Sequence, residues 1–110
     1  MAFCGYFTPR VPGEKPSLSL DFARRMLATD TISAAVVAVS VAPSSPVPDP
    51  AAASLLVGSP GISGTVVSQL VGGTSPSMQP GVEYVVTFTV TLASGVIIIM
   101  DGHIKCITPL

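Results

Sequence analysis

The segment from Pro80 to Leu92 restricts the possible folds of this chain more than any other. It reads Pro-Gly-Val-Glu-Tyr-Val-Val-Thr-Phe-Thr-Val-Thr-Leu. Pro80-Gly81 is a turn signal, and from Val82 onward the side chains alternate. Tyr84, Val86, Phe88, Val90 and Leu92 share one face, while Glu83, Val85, Thr87, Thr89 and Thr91 share the other. A period of two in β-branched and aromatic residues predicts a half-buried strand, because successive side chains of a strand point to opposite faces. Burying five large side chains contributes roughly 1.5–3 kcal/mol each in gross terms. No other segment offers a core as much. It is the expected central strand of a small β-sandwich, with Phe88 at its middle and Tyr84 near its start.

The remaining residues suit the same class. A length of 110 residues allows one domain. Eleven prolines and ten glycines call for many short elements joined by turns, which is an all-β composition. Ser17 to Phe22 alternates, with Leu18, Leu20 and Phe22 on one side, and predicts a strand. Residues 23–31 break the alternation and suit one helical turn with Met26 and Leu27 tucked inward. Ile32 to Val41 is apolar on both faces, the pattern of a central strand covered on both sides. The proline-rich stretch Ala42–Pro50 is a stiff connection. Ser54 to Val57 is a short edge strand ending in the turn Gly58-Ser59-Pro60-Gly61. Ile62 to Val71 is a further strand, with Ile62, Val66 and Leu70 on one face.

After Leu92, Ala93-Ser94-Gly95 makes a tight reversal into Val96-Ile97-Ile98-Ile99-Met100, which predicts a hairpin. Asp101-Gly102 admits two readings, a second turn or a bulge inside one long last strand. Six or seven strands already complete the sandwich, which favours the bulge. The division that results is an extended arm, 1–14, and a sandwich of about seven strands, 15–110. The arm holds Phe3, Tyr6 and Phe7, three of the chain's six aromatic residues. It either covers an edge of its own sandwich or docks on a neighbouring subunit. Tyr84 follows a turn at the start of a late strand, where a Greek-key sandwich places a tyrosine that bonds the backbone a few residues upstream. The plain alternative is a core tyrosine whose hydroxyl reaches water.

Chemistry is hard to build from these residues. The one histidine, His103, lacks the nucleophile-bearing turn that acyl transfer uses. One histidine and two distant cysteines, Cys4 and Cys106, make no metal set, and no cofactor motif occurs. The six carboxylates show no spacing for acid–base work. No enzyme is expected, and no catalytic, cofactor-binding or metal-binding residue is assigned. Five scattered cations do not suit nucleic acid, and no apolar run is long enough to span a membrane. The first residues carry no secretion signal, so a cytosolic product with unpaired thiols is expected.

One resemblance goes further. It rests on Leu20-Asp21-Phe22, Asp30-Thr31-Ile32, Leu56-Val57-Gly58-Ser59-Pro60, Gly64-Thr65-Val66-Val67-Ser68-Gln69, Gly81-Val82-Glu83-Tyr84 and His103-Ile104-Lys105-Cys106. In this order and spacing they resemble a family of small Ig-like virion proteins of tailed bacteriophages, the fibre–tail adaptor type. The resemblance spans about residues 15–107. It implies a single Ig-like Greek-key β-sandwich and a structural protein of the phage neck or tail. That protein would be made in the host cytoplasm and would join a tail or connector ring to fibres in multiple copies. It implies no catalytic residues. The family's usual polar stretch after the Ser-Gly turn is replaced here by Val96-Ile97-Ile98-Ile99-Met100. An edge this apolar must be buried or covered by a partner. The expected contact residues are therefore Phe3, Tyr6, Phe7, Val96, Ile97, Ile98, Ile99 and Met100, with Tyr84 and Phe88 structural. A capsid decoration protein is the nearest alternative. A host-surface or carbohydrate-binding module of a tail fibre is the next, although it would want exposed aromatics and polar loops.

Overall fold

The structure, a computed structural model, describes residues 2–6, 17–27, 29–43, 45–73 and 78–106, the first of these by backbone alone. Seven strands form among the described residues: β1 (Ala2–Tyr6), β2 (Ser17–Asp21), β3 (Ile32–Val41), β4 (Leu56–Ser63), β5 (Val66–Val71), β6 (Glu83–Leu92) and β7 (Ile97–Lys105). The only helical pieces among these residues are two 3-10 turns, Ala23–Arg25 and Ala52–Leu55. The protein is all-β. One sheet has the order β1-β7-β6-β3 and the other β2-β5-β4. Pairing is antiparallel throughout except between β1 and β7, which run parallel.

β6 lies inside the larger sheet between β3 and β7. Tyr84, Val86, Phe88, Val90 and Leu92 are all 0–2% exposed, so the alternating face is the core face. It meets Leu18, Phe22, Val67 and Val71 from the smaller sheet's side in one continuous core, with Val37, Val39, Ile98 and Ile104 beside it. The sandwich is thus two pleated faces closed on each other. In β2, Leu18 and Phe22 are buried and Leu20 packs against the core, as the alternation predicts.

Four expectations are corrected. β3 is not central but an edge strand, and Val36 on its outer face is 65% exposed. Its double-sided apolar pattern reports a lack of charge rather than cover on both faces; alanine, serine and valine cost little in water. Leu27 does not tuck inward and is 77% exposed. The 3-10 turn ends at Arg25, the chain straightens at Met26, and only Met26 packs on the core. The expected strand 62–71 is a hairpin, with Gly64 at φ +60 opening a two-residue turn between Ser63 and Val66. That turn pairs Ile62 with Val67, off the face of Val66 and Leu70, yet Ile62 stays 43% exposed on the edge strand. The β6–β7 pairing runs through Asp101-Gly102 without irregularity, so the last strand is continuous, with neither turn nor bulge there.

The expected turn at Gly58–Gly61 also lies within a strand. β4 runs through it as the edge of the smaller sheet, where Pro60 needs no ladder partner. Pairing passes from Val57↔Leu70 to Gly61↔Ser68, so Gly58, Ser59 and Pro60 together stand opposite Gln69. Gly58 takes φ +68 to make the excursion. Gln69 is turned inward and almost fully buried, and its Nε2 donates toward the carbonyls of Val57 (3.0 Å), Gly58 (3.3 Å) and Leu70 (2.9 Å). The amide fills the hole left by the bulge and bonds the carbonyls the ladder cannot reach. Gln69→Leu, close in size but without donors, should therefore cost about 1–3 kcal/mol, read as a lower urea midpoint at unchanged slope.

Candidate functional site

The polar side chains that could carry chemistry are already engaged in holding loops together. Asp21 Oδ1 accepts from the Thr65 hydroxyl at 2.7 Å and from the Ala23 N–H at 2.9 Å, joining the end of β2 to the β4–β5 turn. Those bonds hold its carboxyl below the usual range, Thr65 contributing most. Asp30 does the same at the β6–β7 turn. Its Oδ2 accepts from the Ser94 hydroxyl at 2.6 Å and its Oδ1 from the Thr31 N–H at 2.9 Å. Its carboxyl is also lowered, chiefly by Ser94. His103 Nδ1 lies 2.6 Å from Glu83 Oε2, with both side chains mostly buried on the outer face of β6 and β7. Among the described residues no three His, Cys, Asp or Glu side chains gather as a metal site.

At the start of β6 is also the tyrosine corner. Gln79-Pro80-Gly81-Val82 forms a turn closed by Val82 N–H to Gln79 O at 3.3 Å, with Gly81 at φ +84. Proline then positive-φ glycine at the central positions is type II chemistry. The Tyr84 hydroxyl accepts from the Gln79 N–H at 2.7 Å, five residues upstream, and donates to Asp49 Oδ2 at 2.6 Å. Asp49 Oδ1 also accepts from the Ala51 N–H at 3.0 Å. The corner therefore holds the β5–β6 loop and the proline-rich connector together. Tyr84 and Phe88 are both fully buried.

What remains open is a surface rather than a pocket. Opposite residues on β3, β6 and β7 make rows across the outer face of the larger sheet: Ala34–Thr91–Ile97, Val36–Thr89–Ile99 and Ala38–Thr87–Asp101. The first two rows carry no charge. Val36 is 65% and Ile97 61% exposed, and Val96 beside them at the hairpin is 52% exposed. The patch is mostly β-branched and uncharged, and charge appears only toward Asp101, His103, Glu83 and Lys105 at the far end. Such a face suits contact with another protein surface.

The expected contact residues separate on this geometry. Val96 and Ile97 are exposed, and Ile99 is half-buried on the outer face. Ile98 is buried in the core, and Met100 packs against it. In a strand two of every four such residues point inward, so an apolar run cannot all face a partner. Phe3 stands in register with Asp101 and Tyr6 with His103. Their side chains, and all of Phe7, lie outside the described residues, as does the Cys4 thiol; Cys106 is buried. Val36 was not foreseen, because a strand apolar on both faces hides which face is open. Among the described residues no helix is long and apolar enough to cross a membrane.

The family model described as podophage GP4 fiber-tail adaptor protein gp77 matches residues 10–103. No curated protein sequence matches the chain.

Proposed function

From the premise that this chain belongs to the podophage GP4 fiber-tail adaptor protein gp77 family, we propose that it joins components at the neck of the particle by a sheet face and an N-terminal arm. As a family member it is a phage tail adaptor and a virion component, a structural protein that works through contacts with other tail proteins. The finer reading has a connector or tail ring on one side and a fibre on the other, with several copies per particle. The strand order β1-β7-β6-β3 against β2-β5-β4, together with the tyrosine corner, supports reading the sandwich as Ig-like with Greek-key connections. Residues 15–110 are then the domain and residues 1–14 the arm, which begins with β1.

One observation carries the docking site: the uncharged rows Ala34–Thr91–Ile97 and Val36–Thr89–Ile99 lie side by side on the outer face of the larger sheet, with the exposed Val96 next to them. We assign Val36, Val96, Ile97 and Ile99 to contacts with another tail protein, and Phe3, Tyr6 and Phe7 to contacts made by the arm. Ile98 and Met100 act from behind, packing the strand that presents them.

Val36→Lys and Ile97→Lys test this reading. Each puts a charge on an exposed position, so the unfolding free energy should stay within about 0.5 kcal/mol of the parent. Incorporation into particles should be lost, because an unpaired ammonium would be buried at the contact. Normal incorporation of both variants would show that the face is not the contact. Imaging of whole particles locates the protein independently. Density at the head–tail junction or on the tail is expected, and density spread over capsid facets would instead mark a decoration protein.

A further inference from the structure

We propose that β1 is exchanged between copies of this chain in the assembled particle, the Ala2–Tyr6 strand of one copy pairing with β7 of the next. This rests on reading residues 1–14 as a contact arm and names the partner of that arm.

The pairing of β1 is unlike every other in the fold. It is the only parallel one among the described strands, and β1 bonds to β7 alone at the outer edge of the larger sheet. A parallel neighbour cannot be joined by a hairpin; it must be delivered by a crossing connection. No local turn therefore ties β1 to the β7 beside it. The same hydrogen bonds form equally well when the strand arrives from another copy, the condition under which exchange of an element costs little. The pairing is also short. The register runs Ala2↔Met100, Phe3↔Asp101 and Tyr6↔His103, with an irregularity between Phe3 and Tyr6. Releasing it sacrifices few bonds, and a neighbour's β1 restores all of them.

The tether has the required length. β1 belongs to the larger sheet and β2 to the smaller, and they do not pair. From Tyr6 to Ser17 the chain makes eleven steps, which reach at most about 36–40 Å when extended. The two shorter dimensions of the molecule are 25 and 23 Å. A strand released from its own β7 can therefore cross to the β7 edge of an adjacent copy. The tether contains Pro9, Pro12 and Pro16, which lack the N–H an interior strand needs.

The edge β1 occupies needs an occupant. Without it, β7 from Met100 to His103 would present a bare row of backbone donors and acceptors beside Ile97 and Ile99, a template for uncontrolled pairing. Exchange covers that edge in every copy of a reciprocal pair or a closed ring, and it links the copies without a new interface chemistry.

The test uses full-length chains carrying one new cysteine each, in a Cys4→Ser background. Ala2→Cys and Met100→Cys chains are purified separately, mixed at assembly concentration, and oxidised with glutathione disulfide. Ala2 and Met100 are in register, and because each chain carries only one of the two cysteines, a bond between positions 2 and 100 in this mixture can form only between copies. Exchange predicts a 2–100 link, mapped by mass spectrometry, and no 2–105 link in a matching mixture of Ala2→Cys and Lys105→Cys chains. Should Met100→Cys fold poorly, Tyr6→Cys with His103→Cys offers a second register pair. A mixture that assembles without either link overturns exchange but leaves contact by the arm standing. Chains that remain monomeric throughout overturn exchange as well. Whether the protein sits at the neck is decided by imaging and does not depend on these links.

Discussion

Phe88→Ala is expected to lower the unfolding free energy by about 3–5 kcal/mol, the usual cost of emptying a large aromatic site in a core. Phe88 is fully buried midway along β6, opposite Val37 on one side and Met100 on the other. It points at the smaller sheet, whose Val67 and Val71 are held in a hydrogen-bonded ladder. Backbone in a ladder cannot slump into a void, so little of the cavity closes. A domain of this size has a total of about 5–15 kcal/mol to lose. The variant should therefore unfold at a much lower urea concentration with an unchanged slope, followed by circular dichroism. Phe88→Leu keeps most of the volume and should lose less than half as much. An unchanged midpoint for Phe88→Ala would mean that the core is not centred on β6.

Tyr84→Phe should cost about 1.5–3 kcal/mol, because the lost hydroxyl bonds a carboxylate and a backbone N–H at once. Asp49 would keep its bond from Ala51 but lose the donor at 2.6 Å, and the Gln79 N–H would lose its acceptor at 2.7 Å. Asp49→Ala should cost less when added to Tyr84→Phe than alone, since the two share one bond. The pH dependence gives a second readout. Burial first, then the bond to Asp49, raise the Tyr84 phenol well above its ordinary value of 10.0. A raised folded pKa gives stability that is complete below the unfolded value and is lost as pH rises beyond it. The parent should therefore lose stability above pH ~10, and Tyr84→Phe should lose less over the same range. Equal alkaline slopes would remove Tyr84 as the cause.

The two variants also separate what is legible in a sequence from what is not. Phe88 and its four companions on β6 can be read directly, because a period of two needs no tertiary information to reveal a buried face. The hairpin after Leu92 and the turn at Pro80-Gly81 are local chemistry and are equally plain. Tyr84 was foreseen at a corner, but its second partner was not. Asp49 is 35 residues away in sequence, within a stretch whose prolines suggest only a connector. Gln69 illustrates the same limit. The alternation of β5 puts Gln69 on the core face with Val67 and Val71, but only the bulge in the neighbouring β4 supplies the carbonyls that its amide bonds. A bulge is decided by two strands together, and one strand's pattern does not contain it. The motifs behind the family resemblance share this character. Asp21, Asp30, Gln69, Tyr84 and the Glu83–His103 pair all tie one segment to another, so they mark the fold rather than the docking face.

The candidate surface was half visible. Val96 and Ile97 stood out as too apolar for an edge, but the run through Met100 could not be divided by face until β7 had a register with β6. Val36 was hidden for the converse reason: β3 is apolar on both sides, and its position at the edge depends on which strands flank β6.

By itself, then, the amino-acid order determined an all-β chain with β6 at its centre and the turns at Pro80-Gly81 and after Leu92, since these follow from periodicity and backbone chemistry. Only the tertiary structure decided that β3 is an edge, that Gln69 meets the bulge in β4, that Ile98 faces the core while Ile97 faces water, and that β1 lies parallel to β7. Each of those depends on which strand lies beside which, a free-energy balance among segments far apart in sequence that no local pattern encodes.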